Sequence, residues 1–563
     1  MSIDIETYRL KAQEAIEYVF VKEYHNSLGI PMPIVKILLP DDANYSTGQY
    51  YITIDKTWQI HLNFGKLPIS YYEFQNEVKV LTRHEIEHYM CCPFDVITHF
   101  RMLKRIKDVY YKHFSHLGIN IKYACGAISN QAADIIVDTK NYYRHSKETL
   151  KSEIDWIKIG ANISACPRHC KLMFLTKEAI WKEDLGINET DPEFLKIVHQ
   201  LADSFTKNGI EDKSSFLDKV EEYAEIFFKL YVEDQKNPQQ SGQQGSQQQS
   251  GQQGSQQQSG QWGVGRPKDG DEHGNAFVFA DPDKVKEAIE VLAEETSVEE
   301  FIDLLAIAGI IGMSDKQKGV LWFNVQSANI IPIVEFSNTG NKSSYTYPSV
   351  WRIGDPIEEL DLMLTYMTSP RLIPGMTTKK WEYVSNDDNG TESKQMDLLL
   401  VVDTSGSMGS AMKESANMHQ AVLASYGILS YFESTKSKVA FIGFSDKIDA
   451  YVDWSDKYDD VRERLLTNGH GGTKFPISRI KSTLDVRSRD LVTVLITDGD
   501  LGNINESVSY FRDYLNDDNK LYIFLLVGSK SLHSYEPLKN IGAKIYNANN
   551  ANEFCDMVLT DME

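Results

Sequence analysis

Two histidines and a glutamate lie close together in residues 80–90, which read VLTRHEIEHYM. On a helix, residues advance by about 100° each, so His84 and His88 fall roughly 40° apart on one face. Two imidazoles in this arrangement can hold one Zn²⁺, and Glu85 can act as the general base for a metal-bound water. Glu87 projects about 60° away from His84 and need not enter the metal shell. The spacing predicts a zinc site with Glu85 as its catalytic residue.

The elements that would position this site come just before it. An amphipathic helix is predicted over residues 6–28, and the helix that carries the histidines over residues 72–90, before Pro93. Three short strands are predicted between them, at residues 34–39, 50–54 and 58–64. This order resembles the core of small zincin metallopeptidases, where an edge strand before the active helix holds the substrate backbone. The resemblance assigns residues 58–64 to that role.

A third ligand is expected downstream, where a helical pattern over residues 130–139 places Asp134 and Asp138 on one face. Gluzincins carry Glu-x-x-x-Asp on the following helix, and Asp134-x-x-x-Asp138 resembles that pattern with Asp replacing Glu. The resemblance extends to a bacterial group of metallopeptidase-like domains fused to von Willebrand A-like domains. It implies that Asp134 is the third zinc ligand and that Asp138 is the hydrogen-bond partner of His84 or His88.

A low-complexity segment divides the chain. The sequence SGQQGSQQQ at residues 241–249 repeats at 250–258, and such a segment cannot bury apolar surface. We therefore predict a flexible linker over residues 236–276, with an N-terminal domain over 1–235 before it. The predicted domains after it are an intermediate region over residues 277–395 and a C-terminal domain over 396–563.

The intermediate region has mixed patterns. Two helices are predicted at residues 283–293 and 298–309, and two strands at residues 321–325 and 330–336. Residues 351–381 resemble the segment that precedes the A domain in bacterial von Willebrand A proteins that work with MoxR-type AAA+ ATPases. The alternative is a subdomain whose role is packing.

Hydroxyl and carboxylate side chains follow buried strands in the C-terminal domain. The apolar run at residues 396–402 is typical of a strand buried on both faces, and it leads directly into Asp403, Ser405 and Ser407. Thr473 lies in a glycine-rich loop, and Asp498 follows another buried strand. Strands alternate with helices, which is the doubly wound α/β pattern.

Asp-x-Ser-x-Ser at the carboxyl end of a strand resembles the metal-ion-dependent adhesion site of von Willebrand A domains, and the other elements follow in order. The resemblance implies that Ser405, Ser407 and Thr473 bind the ion directly, and that Asp403 and Asp498 do so directly or through water. Such oxygen ligands suit Mg²⁺, with Ca²⁺ or Mn²⁺ as substitutes. One coordination position would stay open for a carboxylate of a protein partner.

The net charge, the apolar runs and the cysteine count exclude some classes of function. The net charge of −22 argues against a general binder of nucleic acid or anionic membranes, because phosphate binding depends on surplus Lys and Arg. No secretory signal is predicted, and the most apolar run, residues 301–313, is too short to span a bilayer. Six cysteines in so long a chain do not form a disulfide framework, which favours a reducing cytoplasm. Cys166 and Cys170 could offer soft metal ligands, but they lack a second pair.

The fold predicted for the chain is multidomain, with an α+β zincin-like domain, a linker and an α/β doubly wound, Rossmann-like von Willebrand A domain. The leading hypothesis for its function is a zinc-dependent peptidase tethered to a domain that recruits substrate or an AAA+ partner through Mg²⁺. The alternative is a non-proteolytic adaptor or co-chaperone of a MoxR-type ATPase, in which the zincin-like half is structural. No nucleic acid or membrane is expected as a partner.

Overall fold

In a computed structural model, the chain divides into two compact units, Met1–Lys318 and Gly319–Glu563. The structure describes residues 5–38, 50–54, 59–64, 70–160, 163–236, 282–308, 310, 313–330, 345–351, 360–361, 379–383, 396–487, 491–499, 501, 503–517, 519–526 and 532–547. The predicted linker lies outside the described residues from residue 237 onward. The predicted intermediate region, residues 277–395, falls partly in each unit.

A helix and a small sheet open the first unit. Helix α1, Ile5–Glu17, continues into a π-helical turn, Tyr18–Glu23. The strands that follow are β1 Ile34–Ile37, β2 Tyr50–Ile54 and β3 Gln59–Phe64. They form one sheet in the order β1-β3-β2, with β3 parallel to β1 and antiparallel to β2. The predicted order of a helix and then three strands is confirmed.

The prediction that residues 58–64 form an edge strand is wrong. From Ile60 to Leu62, β3 pairs with β1 on one side and with β2 on the other. The backbone donors and acceptors of this segment are therefore used within the sheet, and they cannot hold an added peptide strand. Strand order depends on contacts distant in sequence, so the local pattern could not reveal it. Among the strands that the structure describes here, β1 and β2 are the edges of the sheet.

Helix α2, Tyr71–Met90, carries the two histidines and confirms the helix predicted over residues 72–90. It begins with a capping box. The hydroxyl of Ser70 accepts a hydrogen bond from the Glu73 N–H at 3.2 Å, and the Glu73 carboxylate accepts one from the Ser70 N–H at 3.3 Å. All residues from Thr82 to His88 are buried, so this polar part of the helix lies inside the unit.

Further helices surround α2. They are α3 Val96–Val109, α4 Ile121–Gly160, α5 Arg168–Trp181, α6 Pro192–Thr206, α7 Phe216–Lys236, α8 Pro282–Glu295 and α9 Val298–Ile307. Helix α4 is central, because it packs against α2, α3, α5 and α7. Helices α8 and α9, which were predicted, pack against α3. Among the described residues, no helix is both long enough and apolar enough to cross a lipid bilayer.

The prediction of a strand at residues 321–325 is wrong, because these residues lie in helix α10, Asp315–Ile330. A short apolar run fits a buried strand and a buried helix equally well, so periodicity could not decide between them. The deciding signal is a second capping box, in which the Gln317 N–H donates to the Ser314 hydroxyl and the Gln317 carboxamide oxygen accepts from the Ser314 N–H. The strand predicted at 330–336 lies outside the described residues from residue 331 onward.

A six-stranded sheet forms the core of the second unit. Its strands are β7 Asp397–Asp403, β8 Val439–Phe444, β9 Ile448–Ser455, β10 Leu491–Thr497, β11 Lys520–Leu525 and β12 Lys544–Asn547. They lie in the order β12-β11-β10-β7-β8-β9. All neighbouring pairs are parallel except β8 and β9. The chain builds outward from β7 first through β8 and then through β10, so the carboxyl ends of β7 and β10 flank a topological switch point.

Helices cover both faces of this sheet. They are α11 Asn417–Ser434, α12 Tyr458–Leu465, α13 Ile477–Leu484, α14 Val508–Asn516 and α15 Leu532–Lys539. Leu399 and Val401 of β7 share a core with Ile480, Phe511 and Leu538 from three of these helices. The alternate residues of β7 point to the opposite face, and α11 packs against this strand. The predicted α/β pattern is confirmed for this sheet.

A separate antiparallel sheet precedes it in the chain. Its strands are β4 Tyr345–Val350, β5 Leu360–Asp361 and β6 Lys379–Tyr383, in the order β4-β6-β5. Most of residues 331–395 lie outside the described residues, so the resemblance of residues 351–381 to an A-domain leader stays a prediction.

Candidate metal centre

Helix α2 places His84 and His88 one turn apart, as their spacing predicts. Their rings stand at 86° with centroids 4.6 Å apart, and the two Nε2 atoms are separated by 3.0 Å. The side chains are buried, with relative exposures of 8% and 3%. Two nitrogen ligand atoms thus meet at one point inside the first unit.

Helix α4 brings Asp134 to the same point. Its Oδ1 lies 3.5 Å from the Nε2 of His84 and 3.2 Å from the Nε2 of His88. The other carboxylate oxygen accepts a hydrogen bond from the side-chain amide of Asn130 at 2.9 Å. Asp134 is 3% exposed, so the whole group is enclosed by protein. The buried cluster of His84, His88 and Asp134 could hold a metal ion.

The remaining ring nitrogens of the two histidines have acceptors of their own. The Nδ1 of His84 lies 2.6 Å from the Oδ1 of Asp138, and the Nδ1 of His88 lies 2.9 Å from the carbonyl oxygen of Cys92. A carbonyl oxygen and an ionised carboxylate can only accept, so both Nδ1 atoms carry the proton. Both Nε2 atoms are therefore directed at the cluster. The sequence left open which of the two histidines Asp138 contacts, and the structure shows that it contacts His84.

Neighbouring charges shift the protonation of the pair formed by His84 and Asp138. Burial acts to lower the pKa of His84, but the charge and hydrogen bond of Asp138 and the charge of Asp134 outweigh it and raise the pKa to about 9. Burial acts to raise the pKa of Asp138, but Lys177 and His84 lower it to about 2. Without a metal, the two side chains therefore form an ion pair at neutral pH, and an ion at Nε2 would displace a proton.

The two glutamates of the motif have different surroundings. Glu85 is the residue directly after His84 on the helix, and it is also buried. Glu87 is directed elsewhere: it accepts a hydrogen bond from the Tyr24 hydroxyl at 3.0 Å and pairs with Lys140 at 2.9 Å and Arg144 at 3.0 Å. Glu87 therefore serves helix packing and lies outside the ligand group.

Four side chains of the second unit meet at the carboxyl ends of β7 and β10. The Ser405 N–H donates to the Oδ1 of Asp403 at 2.8 Å, and the hydroxyl oxygens of Ser405 and Ser407 lie 3.1 Å apart. The Ser407 hydroxyl donates to the Oδ1 of Asp498 at 3.0 Å. Burial raises the pKa of Asp403, although hydrogen bonds to its carboxylate oppose the shift. The structure thus brings together oxygen groups that are distant in sequence.

Thr473, the fifth predicted residue, lies in the loop that faces this cluster. The loop is joined to the first one by the backbone, since the Gly406 N–H donates to the Gly471 carbonyl at 3.3 Å. Thr473 lies two residues after that contact, and its side chain is half-buried.

Sequence reasoning missed several residues that orient both groups. The Thr497 hydroxyl donates to Asp403 at 2.6 Å, and the Asn417 amide donates to Asp498 at 3.1 Å. In the first unit, Asn130 and Lys177 bond the two aspartates of helix α4. Asn130 could have been found, because it lies one helical turn before its acceptor. The others come from distant elements and leave no local signal.

Replacing Gly469 with alanine should destabilise the second unit by about 1–3 kcal/mol, because a Cβ has no room there. A Cβ at this position would lie 2.5 Å from the backbone oxygen of Thr404 and would also meet Asp449. These two neighbours are themselves joined, since the Thr404 hydroxyl donates to Asp449 at 2.7 Å. Gly472→Ala is the matched control, because a Cβ there meets nothing within 4 Å. Equal denaturant midpoints for the two variants would contradict the packing described.

The other predicted ligand candidates do not join a cluster. Within the part of the chain that the structure describes, Cys166 and Cys170 belong to no group able to hold a metal ion. His169, which lies between them, has its Nδ1 2.8 Å from Asp234 and donates its backbone N–H to the same carboxylate at 3.2 Å. This contact ties the start of α5 to α7.

Comparison with known proteins adds little. No protein-family model matches the sequence, and no curated protein matches it. Among solved structures, the chain is similar to the crystal structure of the conserved hypothetical protein BatB from Bacteroides thetaiotaomicron, at 12% identity and a TM-score of 0.25, over 30% of this chain and 98% of that one. A TM-score this low carries no conclusion about fold or function.

Proposed function

We propose that the chain is a zinc-dependent peptidase joined to a von Willebrand A domain that binds protein through a divalent cation. The convergence of His84, His88 and Asp134, with Glu85 beside the first of them, is the observation that carries the proposal. Two nitrogens and one carboxylate oxygen are a ligand set of catalytic zinc sites, which keep a fourth position for water or substrate.

The distances between the ligand atoms fit zinc. Tetrahedral coordination at zinc–ligand distances of about 2.0–2.1 Å requires ligand atoms roughly 3.3 Å apart. The three pairs here are separated by 3.0, 3.2 and 3.5 Å. The Nδ1 atoms of His84 and His88 already have hydrogen-bond acceptors, Asp138 and the Cys92 carbonyl group respectively. This is the usual arrangement around zinc-bound histidines.

Bound zinc would supply Lewis acidity, polarising a water molecule and the substrate carbonyl. The protein's own part in cleavage would fall to Glu85. Its carboxylate would take the proton from the attacking water and give it to the leaving amine. Because β3 is interior, substrate would have to pair with another strand, and β2 is the sheet edge that lies against helix α2.

The second unit would act as the recruiting module. Ser405, Ser407 and Thr473 would offer hydroxyl ligands, and Asp403 and Asp498 carboxylates, which suit Mg²⁺, with Ca²⁺ or Mn²⁺ as substitutes. The position of these residues at a switch point supports the proposal, because open α/β sheets bind ligands there. A carboxylate of a protein substrate, or of a MoxR-type AAA+ partner in the cytoplasm, would complete the coordination.

Two observations favour the second candidate function, a non-proteolytic adaptor of an AAA+ ATPase. The ligand side chains are 3–8% exposed, and the strand before helix α2 is not an edge. A metal enclosed by protein is typical of a structural site, and the interior position of β3 removes the strand that was expected to hold substrate. Under this alternative, the metal would stabilise the first unit, and binding by the second unit would be the activity.

Metal analysis of the full-length chain tests the proposal. We expect about one zinc per chain in the wild type and its loss in His84→Ala, because two ligands hold zinc poorly. His113→Ala is the control, since that histidine is exposed and outside the cluster. A wild-type chain that stays free of zinc after incubation with the metal and dialysis would contradict the zinc site.

A further inference from the structure

A buried lysine is linked to the candidate metal ligand His84 through one intervening side chain, that of Asp138. Lys177, on helix α5, is only 1% exposed. An ammonium group inside a protein is costly unless it is paired and hydrogen-bonded. The groups that pair with the Lys177 ammonium therefore indicate its role.

Lys177 connects two carboxylates of helix α4. Its Nζ donates to the Oδ2 of Asp138 at 3.0 Å and forms a very short ion pair with Glu153. The other oxygen of Asp138 accepts from His84 at 2.6 Å. The four side chains form one chain of contacts, from His84 through Asp138 and Lys177 to Glu153.

These two contacts restrain the rotation of the Asp138 carboxylate. Each of its oxygens accepts from a different donor, so turning the carboxylate would break the bond to His84 or the bond to Lys177. The direction of the Nε2 of His84 would thus depend on a lysine whose hydrogen bonds go to Asp138 and Glu153 and not to the imidazole.

The second histidine is oriented differently. The Nδ1 of His88 faces the backbone carbonyl of Cys92, at 2.9 Å, which belongs to the turn just after its own helix. A change at position 177 should therefore disturb His84 and spare His88. This asymmetry separates a specific positioning effect from general loosening of the unit.

We propose that Lys177 is a positioning residue of the metal centre, which holds Asp138 so that it orients His84 for metal binding. The inference rests on the proposed zinc site. The competing explanation is that Lys177 forms only a packing ion pair between helices α4 and α5. That explanation predicts changes in the free energy of unfolding and none at the imidazole.

The test compares Lys177→Met with a charge-balanced double variant, Lys177→Met with Glu153→Gln, which removes one cation and one anion. The double variant covers the case in which the single one does not fold. Lys140→Met is the matched control, because Lys140 is also buried and pairs with Glu87, at 2.9 Å, away from the cluster. Each full-length variant is labelled with ¹⁵N-histidine.

Two measurements follow. The first is the hydrogen-bonded Nδ1–H proton resonances of His84 and His88 in the metal-free chain. The second is the dissociation constant for zinc, from competition with a chelator. It is measured for each variant with and without the additional substitution Asp138→Asn. Changes in groups that hold a ligand histidine typically weaken metal binding by about 10–100-fold.

We expect both Lys177 variants to lose or shift the His84 resonance, to keep that of His88, and to bind zinc about 10–100-fold more weakly. The effect on zinc should vanish once Asp138→Asn is present, because the two changes act through one contact. An unchanged His84 resonance in either folded variant, or equal loss of both resonances, would overturn the inference. If the wild type binds no zinc, the proposed function fails, and the metal-free spectra still decide the role of Lys177.

Discussion

Replacing Glu85 with glutamine should lower peptide cleavage by about 10²–10⁴-fold, the usual contribution of a general base, while zinc remains bound. The substitution keeps the shape of the side chain and removes its ability to accept a proton. None of the three ligand atoms is touched, since those belong to His84, His88 and Asp134. The measurement is cleavage of fluorescently labelled, unfolded casein by the full-length chain, with zinc content determined on the same samples.

Glu87→Gln is the matched control for this prediction. Glu87 lies on the same helix and is fully buried, but it bonds Tyr24, Lys140 and Arg144 rather than the cluster. We expect it to lower the free energy of unfolding and to keep cleavage at temperatures where the variant is folded. Cleavage by Glu85→Gln at the wild-type rate would remove Glu85 from the mechanism. A zinc-loaded wild type that cleaves nothing would favour the adaptor function.

Replacing Asp403 with alanine should abolish binding of Mn²⁺, used as a probe for Mg²⁺, to the second unit. Asp403 joins the first loop to the strand next to it, because it accepts from the Ser405 N–H at 2.8 Å and the Thr497 hydroxyl at 2.6 Å. Its loss removes a hard anionic ligand and releases both donors. The measurement is titration of zinc-loaded, full-length protein with Mn²⁺ followed by electron paramagnetic resonance, so that the first cluster is already occupied.

Two further variants make this result interpretable. Alanine leaves the Thr497 hydroxyl without its acceptor, which costs about 1–3 kcal/mol, so Asp403→Asn provides a variant of similar shape. Asp460→Ala removes an exposed carboxylate of helix α12 and controls for net charge. We expect Mn²⁺ binding to be lost in both Asp403 variants and kept in Asp460→Ala. Mn²⁺ binding that survives in Asp403→Asn would contradict the cation site.

The sequence alone determined those parts of the two clusters whose geometry is local. His84 and His88 lie four residues apart on a helix, so their convergence follows from the helical repeat. Asp134 and Asp138 share a helix face for the same reason. Asp403 ends a strand that is apolar from Leu398 to Val402, and Ser405 and Ser407 follow it. A strand with so apolar a run must lie inside a sheet, with its polar end at the edge.

Tertiary structure decided everything that depends on which elements become neighbours. Only the packing of α4 on α2 brings Asp134 to the two imidazoles, and only the packing of α5 on α4 places Lys177 behind Asp138. The interior position of β3 was likewise beyond local patterns. The physical reason is that hydrogen-bond pairing between strands and burial between helices are set by contacts far apart in the chain. Spacing along helix α2 therefore predicted the pair of histidines, whereas packing between helices brought Asp134 to them and selected the side chains that orient the group.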